Sequence, residues 1–330
     1  MAILVTGGAG YIGSHTCVEL LNAGYEIIVV DYCMKSKLEV LDQIREITGK
    51  DFAFYQVDLL DQEALVSIFS TNEIEAVIHL AGLNDAVTES LWYYHKDLFG
   101  TVSLLEVMQR FQVKNMVYSS TAAVYGIPDT EPLKENYVLG EANSYGRTRQ
   151  INEELLRDLY LTDQKWSVAL LRYFDPVGAH KSGQIGRELT GRRNRMLSRL
   201  SRMAVEGTSL ASSTLDAVCL WDSIHVVDLA NGHVKALKWV LNKMGVEAFN
   251  LGRGKGYSEV EFAAAFEKVA GTRIPYQCQD NKFGYFELCC LNPTKSMMEL
   301  GWVAEKGIEE MCEDTWEWLL KHNHQMNLLL

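Results

Sequence analysis

The chain has 330 residues, 48% of them hydrophobic and 22% charged, the composition of a soluble globular protein with room for one large or two medium domains. Its formal net charge of -12 argues against nucleic acid as a partner, and no apolar run approaches the roughly 18 residues that a membrane helix needs. The seven cysteines, Cys17, Cys33, Cys219, Cys278, Cys289, Cys290 and Cys312, form no Cys-x-x-Cys, which excludes a zinc site or disulfide framework of ordinary spacing and fits a reducing cytoplasm.

The N-terminus reads as a strand and lacks a charged leader, so no signal peptide is expected. Ile3–Thr6 is that strand; Gly7-Gly8-Ala9-Gly10-Tyr11-Ile12-Gly13 follows it, and a helical pattern begins near Cys17. Strand, glycine loop and helix together let a backbone approach a diphosphate and aim a helix N-terminus at it. The second predicted strand, Ile27–Val30, ends at Asp31, 18 residues beyond Gly13, where a dinucleotide fold places the carboxylate that accepts from an adenosine ribose hydroxyl. The same carboxylate would repel a 2′-phosphate, so NAD is expected rather than NADP.

Further strands are predicted at Phe52–Val57, Ala76–Leu80, Asn115–Ser119 and Val168–Tyr173, with helices at Glu63–Ser70, Thr101–Phe111 and Asn143–Tyr160. This alternation predicts an α/β fold, a Rossmann-type doubly wound parallel sheet. Regularity fades after Tyr173 and returns at Ile224–Leu241, Ser258–Val269 and Gly307–Leu320. The expected division is an NAD-binding domain of residues 1–175 plus 222–250 and a smaller C-terminal substrate domain of 176–221 plus 251–330. Between them lies a basic block, Lys181, Arg187, Arg192, Arg193, Arg195, Arg199 and Arg202, opposed only by Glu188. Two readings stand equally: attraction of a phosphate-bearing ligand, or a solvated loop and helix face.

The run from Met116 to Gly126 reads as a strand ending in the hydroxyls Ser119, Ser120 and Thr121, and ligands sit at such strand ends in open parallel sheets. Tyr145 and Arg149 open the following helix, four residues apart and so on one face. A fixed cation beside a phenol favours the phenolate, which beside a nicotinamide is a general base for alcohol oxidation. Tyr145, Arg149 and Thr121 are the candidate base, base activator and hydroxyl hydrogen-bonder.

These motifs resemble the UDP-hexose 4-epimerase branch of the extended short-chain dehydrogenase/reductase family. The resemblance spans nearly the whole chain: Val5–Cys17, Val77–Leu83, Ser119–Gly126, Leu170–His180, Ile224–His233 and Phe249–Gly252. It implies an isomerase of carbohydrate metabolism that keeps NAD bound, with the tyrosine taking the sugar 4-hydroxyl proton while hydride leaves C4, the keto sugar turning over, and hydride returning to its other face. It further implies a homodimer formed through helices such as Thr101–Phe111 and Asn143–Tyr160. Gly7, Gly10, Tyr11, Ile12, Gly13, Asp31, Ser36, Asp58, Leu59, Ala81, Gly82, Tyr145 and Tyr173 stand where the family contacts NAD.

The chain departs from the family elsewhere. Its Tyr-x-x-x-Lys lysine, which bonds the nicotinamide ribose and acidifies the tyrosine, is Arg149, and arginine is not equivalent to lysine. The lysine after Ala-Gly-Leu is replaced by Asn84-Asp85, and the paired asparagines align with Lys96 and Asp97, Lys96 being a cation that restores one lost elsewhere. On the substrate side a family asparagine becomes Asp175, which would repel a diphosphate. The Asn-Asn-Leu motif falls near Asn194-Arg195-Met196 and a diphosphate arginine becomes Trp221. A second such arginine aligns with Lys282, the acid that meets the uridine ribose with Tyr285, and the residue that limits sugar size with Cys289. Two functions stay open: an NAD-dependent nucleotide-sugar epimerase, with UDP-hexose or an altered substrate, and a silent NAD-binding relative acting as sensor or scaffold. No metal is implied.

Overall fold

A computed structural model describes residues 1–34, 37–82, 90–126, 132–140, 144–187, 200, 214–216, 220–274, 277–279 and 288–326. Seven parallel strands form the central sheet: β1 (Ala2–Thr6), β2 (Glu26–Asp31), β3 (Ala53–Gln56), β4 (Ile74–His79), β5 (Asn115–Ser119), β6 (Ser167–Arg172) and β7 (Gly245–Asn250). Their order is β7-β6-β5-β4-β1-β2-β3, a doubly wound Rossmann-type arrangement. The order reverses beside β1, so the crevice outside the carboxyl ends of β1 and β4 is where such a sheet takes a ligand.

Both faces of the sheet are covered, which is why its strands are nearly continuous apolar runs. Ile3, Val5, Ile27 and Val29 face one core with helices α1 (Tyr11–Asn22) and α2 (Glu39–Thr48). Leu4, Ile28, Val30 and Val77 face another with α3 (Gln62–Thr71). A short helix, α4 (Ser90–Tyr94), runs through a π turn at His95–Phe99 into α5 (Gly100–Arg110), and α6 (Ser144–Thr162) also covers the second face. On the first face α7 (Val226–Val240) completes the layer, its buried Leu229, Ala236 and Leu237 joining that core.

A third core gathers Val177, Leu200 and Ile274 with α8 (Glu259–Ala270) and α9 (Ile308–Met326), through Phe262, Phe266, Met311, Cys312 and Leu319. This is the C-terminal unit. A capping box between Ser258 and Glu261 starts α8, satisfying two otherwise orphaned backbone donors. Among the described residues, no helix is long and apolar enough to cross a membrane, and no cluster of three His, Cys, Asp or Glu is arranged to hold a metal.

The predicted strands and most helices are found within a few residues, while α1 begins and α9 ends six residues beyond the predicted patterns. Helices α2 and α4, strand β7 and several strands of two or three residues are not on the predicted list. Gly245–Asn250 follows α7 after only a short turn and pairs in register with β6 from Ser167 to Arg172, extending the sheet. Glu247, exposed within it, interrupts the apolar run that marks a buried strand.

Candidate functional site

The carboxyl ends of β1, β2, β4 and β5 open into a cleft of about 390 Å³. Its floor is the glycine loop. A Cβ on Gly13 would lie 2.0 Å from the Gly7 carbonyl oxygen, and one on Gly7, where φ is +72°, would lie 2.7 Å from the Ala81 nitrogen. Glycine is required at both positions because backbone occupies the space a side chain would take. The Gly10 amide donates to the Gly7 carbonyl at 3.1 Å, closing the loop, and no side chain caps the N-terminus of α1. That geometry fits the diphosphate of a dinucleotide.

Asp31, at the end of β2, accepts from the Ala9 amide at 3.0 Å and the Cys33 amide at 2.7 Å. One carboxylate thus ties the glycine loop to the strand end, and burial raises its pKa while the two amides oppose the rise. Asp58 and Leu59, after β3, and Ala81 and Gly82, after β4, complete this wall. Lys96 pairs with Asp58 and lies over the Tyr32 ring at 5.4 Å. The added cation therefore sits on the wall beside Asp58 and covers an acid.

The wall beyond β5 holds Ser119, Tyr145, Arg149 and Tyr173, and meets the first where Gly82 adjoins Arg149. Tyr145 and Arg149, at the start of α6, line the same cleft, with the guanidinium carbon 5.5 Å from the Tyr145 ring centre. Helix α6 comes close because Gly146 has no side chain: a Cβ there would lie 2.7 Å from the Ala123 carbonyl. Arg149 is buried, donating to the Tyr118 hydroxyl at 3.1 Å and the Ser119 carbonyl at 3.3 Å. It also faces the buried Asp97 carboxylate at 3.3 Å, so its charge is not directed at Tyr145 alone.

Ser119 and the Tyr173 hydroxyl are hydrogen-bonded, and burial pushes the Tyr173 phenol well above its ordinary range, holding it neutral. Thr121 is buried and caps the short turn Ala122–Tyr125, accepting from the Ala123 amide at 3.2 Å. It does not line the cleft itself, although its hydroxyl hydrogen remains able to donate. Behind this wall Glu153 accepts from Ser120 at 2.5 Å and pairs with Arg172, which donates in turn to the Tyr125 hydroxyl at 3.1 Å. The hydroxyl-bearing end of β5 is thereby fixed to α6 and β6.

On the substrate side the structure alters the reading of Asp175. Its carboxylate receives both arms of Arg187, at 3.0 and 3.2 Å, so it is neutralised rather than left to repel a diphosphate. Arg187 also stacks over Tyr11 at 4.3 Å and reaches the cofactor cleft, the one basic-block residue placed there among those described. Trp221, 46% exposed, pairs in register with Cys289 and meets Phe174 edge-on at 6.5 Å. Ser36, Asn84, Asp85, Asn194, Arg195, Met196, Lys282 and Tyr285 lie outside the described residues, as do Arg192, Arg193 and Arg199.

Sequence reasoning did not assign Asp97, Arg187 or His79 to the cleft, and named Ser119 only as one hydroxyl of the cluster at the end of β5. His79 bridges Thr6 at 2.6 Å and Thr101 at 3.1 Å, and burial lowers its pKa to about 3. Asp97 and Arg187 were legible only as single charges; their meaning lies in partners distant in sequence.

Residues 3–252 match the profile of the NAD dependent epimerase/dehydratase family. The chain is 53% identical over 327 residues to the UDP-glucose 4-epimerase of Bacillus subtilis (strain 168), covering 96% of each chain. It is 42% identical over 332 residues to that of Mus musculus, again covering 96% of each. Among solved structures, the UDP-glucose 4-epimerase of Stenotrophomonas maltophila with bound NAD and formylated UDP-arabinopyranose superposes with a TM-score of 0.93 at 34% identity, covering 98% of this chain and 99% of that one. The Bifidobacterium longum enzyme in complex with NAD+ and UDP superposes with a TM-score of 0.90 at 38% identity, covering 98% and 99%.

Proposed function

The chain belongs to the NAD-dependent epimerase/dehydratase family, and we propose from that premise that it interconverts UDP-glucose and UDP-galactose by inverting C4 of the hexose. The observation that carries the reading is the single cleft lined by both the glycine loop and the Tyr145–Arg149 pair. A silent scaffold is not favoured, because relatives as similar as 53% over 96% of the chain are epimerases.

In this reading Gly7, Gly10, Tyr11, Ile12 and Gly13 cradle the NAD diphosphate, Asp31 and Ser36 receive the adenosine ribose, and Asp58, Leu59 and Lys96 border the adenine. Ala81, Gly82, Arg149 and Tyr173 border the nicotinamide end. NAD, when bound, supplies the acceptor that takes hydride from C4 and gives it back. Tyr145 takes the 4-hydroxyl proton as a phenolate and returns it at the end, so protons balance over the cycle. Arg149 supplies the positive field that favours the phenolate. Thr121 stands just outside the cleft lining, and its hydroxyl hydrogen, not used in the Ala123 contact, is the donor assigned to the 4-oxygen. Neutral Tyr173 and Ser119 exclude water behind the ring.

Residues 1–175 plus 222–250 hold the cofactor and 176–221 plus 251–330 the nucleotide sugar, with Asp175, Arg195, Trp221, Lys282, Tyr285 and Cys289 as its candidate binding residues. The chain works in the cytoplasm as a homodimer joined through α5 and α6; exposed Phe99, Ile151 and Leu161 on or beside these helices supply apolar surface for that contact. Incubating the purified protein with UDP-galactose tests the activity. UDP-glucose should accumulate without added cofactor and without net NADH. No conversion of either sugar would overturn the proposal.

A further inference from the structure

Two departures from the family pattern, the lysine that is Arg149 and the asparagine that is Asp97, lie far apart in sequence and meet in the cleft. The guanidinium nitrogen is 3.3 Å from the Asp97 carboxylate, and the side chains are 5% and 1% exposed. Asp97 reaches this place from the π-helical turn at His95–Phe99, which joins α4 to α5. Among the described residues no hydrogen bond satisfies either Asp97 carboxylate oxygen, so the guanidinium is the charge that accompanies it. A buried charge without a partner is costly, so the Asp97 carboxylate requires the guanidinium.

The pair also has a fitted recess. A Cβ on Gly82 would stand 2.0 Å from the Arg149 nitrogen and 2.8 Å from the Asp97 oxygen. The guanidinium carbon lies 5.5 Å from the centre of the Tyr145 ring and 5.6 Å from that of Tyr118. Arg149 thus stands between a fixed carboxylate on one side and the cleft-lining phenol on the other.

We propose that Asp97 is a positioning residue for the reaction: it holds the Arg149 guanidinium in place and sets how much of its charge acts on Tyr145, so that arginine and aspartate replace lysine and asparagine as one unit. The inference rests on the epimerase reading. A lysine alone does not reproduce this arrangement, because one guanidinium nitrogen faces Asp97 while the other donates to Tyr118 and Ser119, and an ammonium has a single nitrogen on a flexible stem. Tyr145 is faced by Arg149 from its own helix, by Tyr173 from the loop after β6, and, beyond Arg149, by Asp97 from the π turn and Tyr118 from β5. His79, beneath Arg149, is held neutral by burial and adds no charge.

The test compares the holoenzyme with its D97N, R149K and D97N/R149K variants through kcat–pH profiles for UDP-galactose, with folding followed by circular dichroism. D97N removes the opposing charge, so the acid limb of its profile should move down by about one pH unit. R149K alone should lower kcat by about tenfold or more, and the double variant should recover most of that loss, because coupled residues are not additive. An unshifted D97N profile, or a double variant whose loss is the product of the single ones, overturns the proposal. If the unaltered protein converts no UDP-galactose, the epimerase reading fails separately. The pair is then judged on the fluorescence of bound NADH, which the single variants should change and the double restore; additive changes overturn it.

Discussion

The two walls of the cleft obey different rules. On the glycine-loop wall the constraints are backbone against backbone: the space beside Gly13 is filled by the Gly7 carbonyl, and no compensating change elsewhere can make room. On the wall beyond β5 the constraints are charges, and charges can be exchanged in pairs. Asp175 is matched by Arg187 and Asp97 by Arg149. A single departure from a family pattern therefore looks damaging in one dimension and balanced in three.

The largest effect that would sharpen this contrast is chemical. Tyr145→Phe should keep the fold and lower kcat by about 10²- to 10⁴-fold, the usual worth of a general base. Conversion of UDP-galactose at an undiminished rate would remove Tyr145 from the mechanism.

Next in size is a pH effect on the scaffold. Burial holds His15 and His79 at about 3 and His233 at about 4, so all three stay neutral in the folded protein. The unfolded chain takes up these protons below about pH 6.5. Their stability is therefore present above pH 6.5 and lost as pH falls toward 4. Between pH 7 and 5.5 each should cost on the order of 1 kcal/mol. Asp222 acts the other way: burial raises it to about 6, despite the amides of Arg253, Leu291 and Gly254, so protonation there returns a smaller amount, under about 1 kcal/mol, over the same interval. Urea unfolding should thus show these four groups giving a net loss of roughly 2–3 kcal/mol from pH 7 to 5.5. A flat or rising stability would contradict the assignment of neutral buried histidines.

Smaller still, Gly13→Ala should destabilise the loop by about 1–3 kcal/mol and reduce the NAD copurifying with the protein, as overpacking does. Full NAD occupancy in that variant would break the claim that this wall tolerates no side chain. The smallest expected effect tests the exchangeable wall. Asp175→Asn frees Arg187 from its carboxylate, so the KM for UDP-galactose should fall by about two- to fivefold, screened by the partial exposure of the pair. A raised KM would mean that Asp175 itself contacts the sugar nucleotide.

How much of this was legible follows the same division. The glycine loop, Asp31 and the strand–helix alternation stand in local sequence, because backbone geometry and hydrophobic period write themselves there. Tyr145 and Arg149 could be read from their helical spacing. The short β7 was not on the list of strands, because exposed Glu247 interrupts its apolar run and only its pairing with β6 makes it a strand. The roles of Asp97 and Arg187 could not be read at all, since each depends on a partner from another element: 97 with 149, and 187 with 175.

The most direct measurement of the central claim uses UDP-galactose carrying deuterium at C4, incubated with the purified enzyme in ordinary water. Product UDP-glucose that keeps the deuterium at C4, with no net NADH released, is the result expected if hydride leaves and returns within one closed cleft. Product that has lost the label to solvent, or no product, would contradict it.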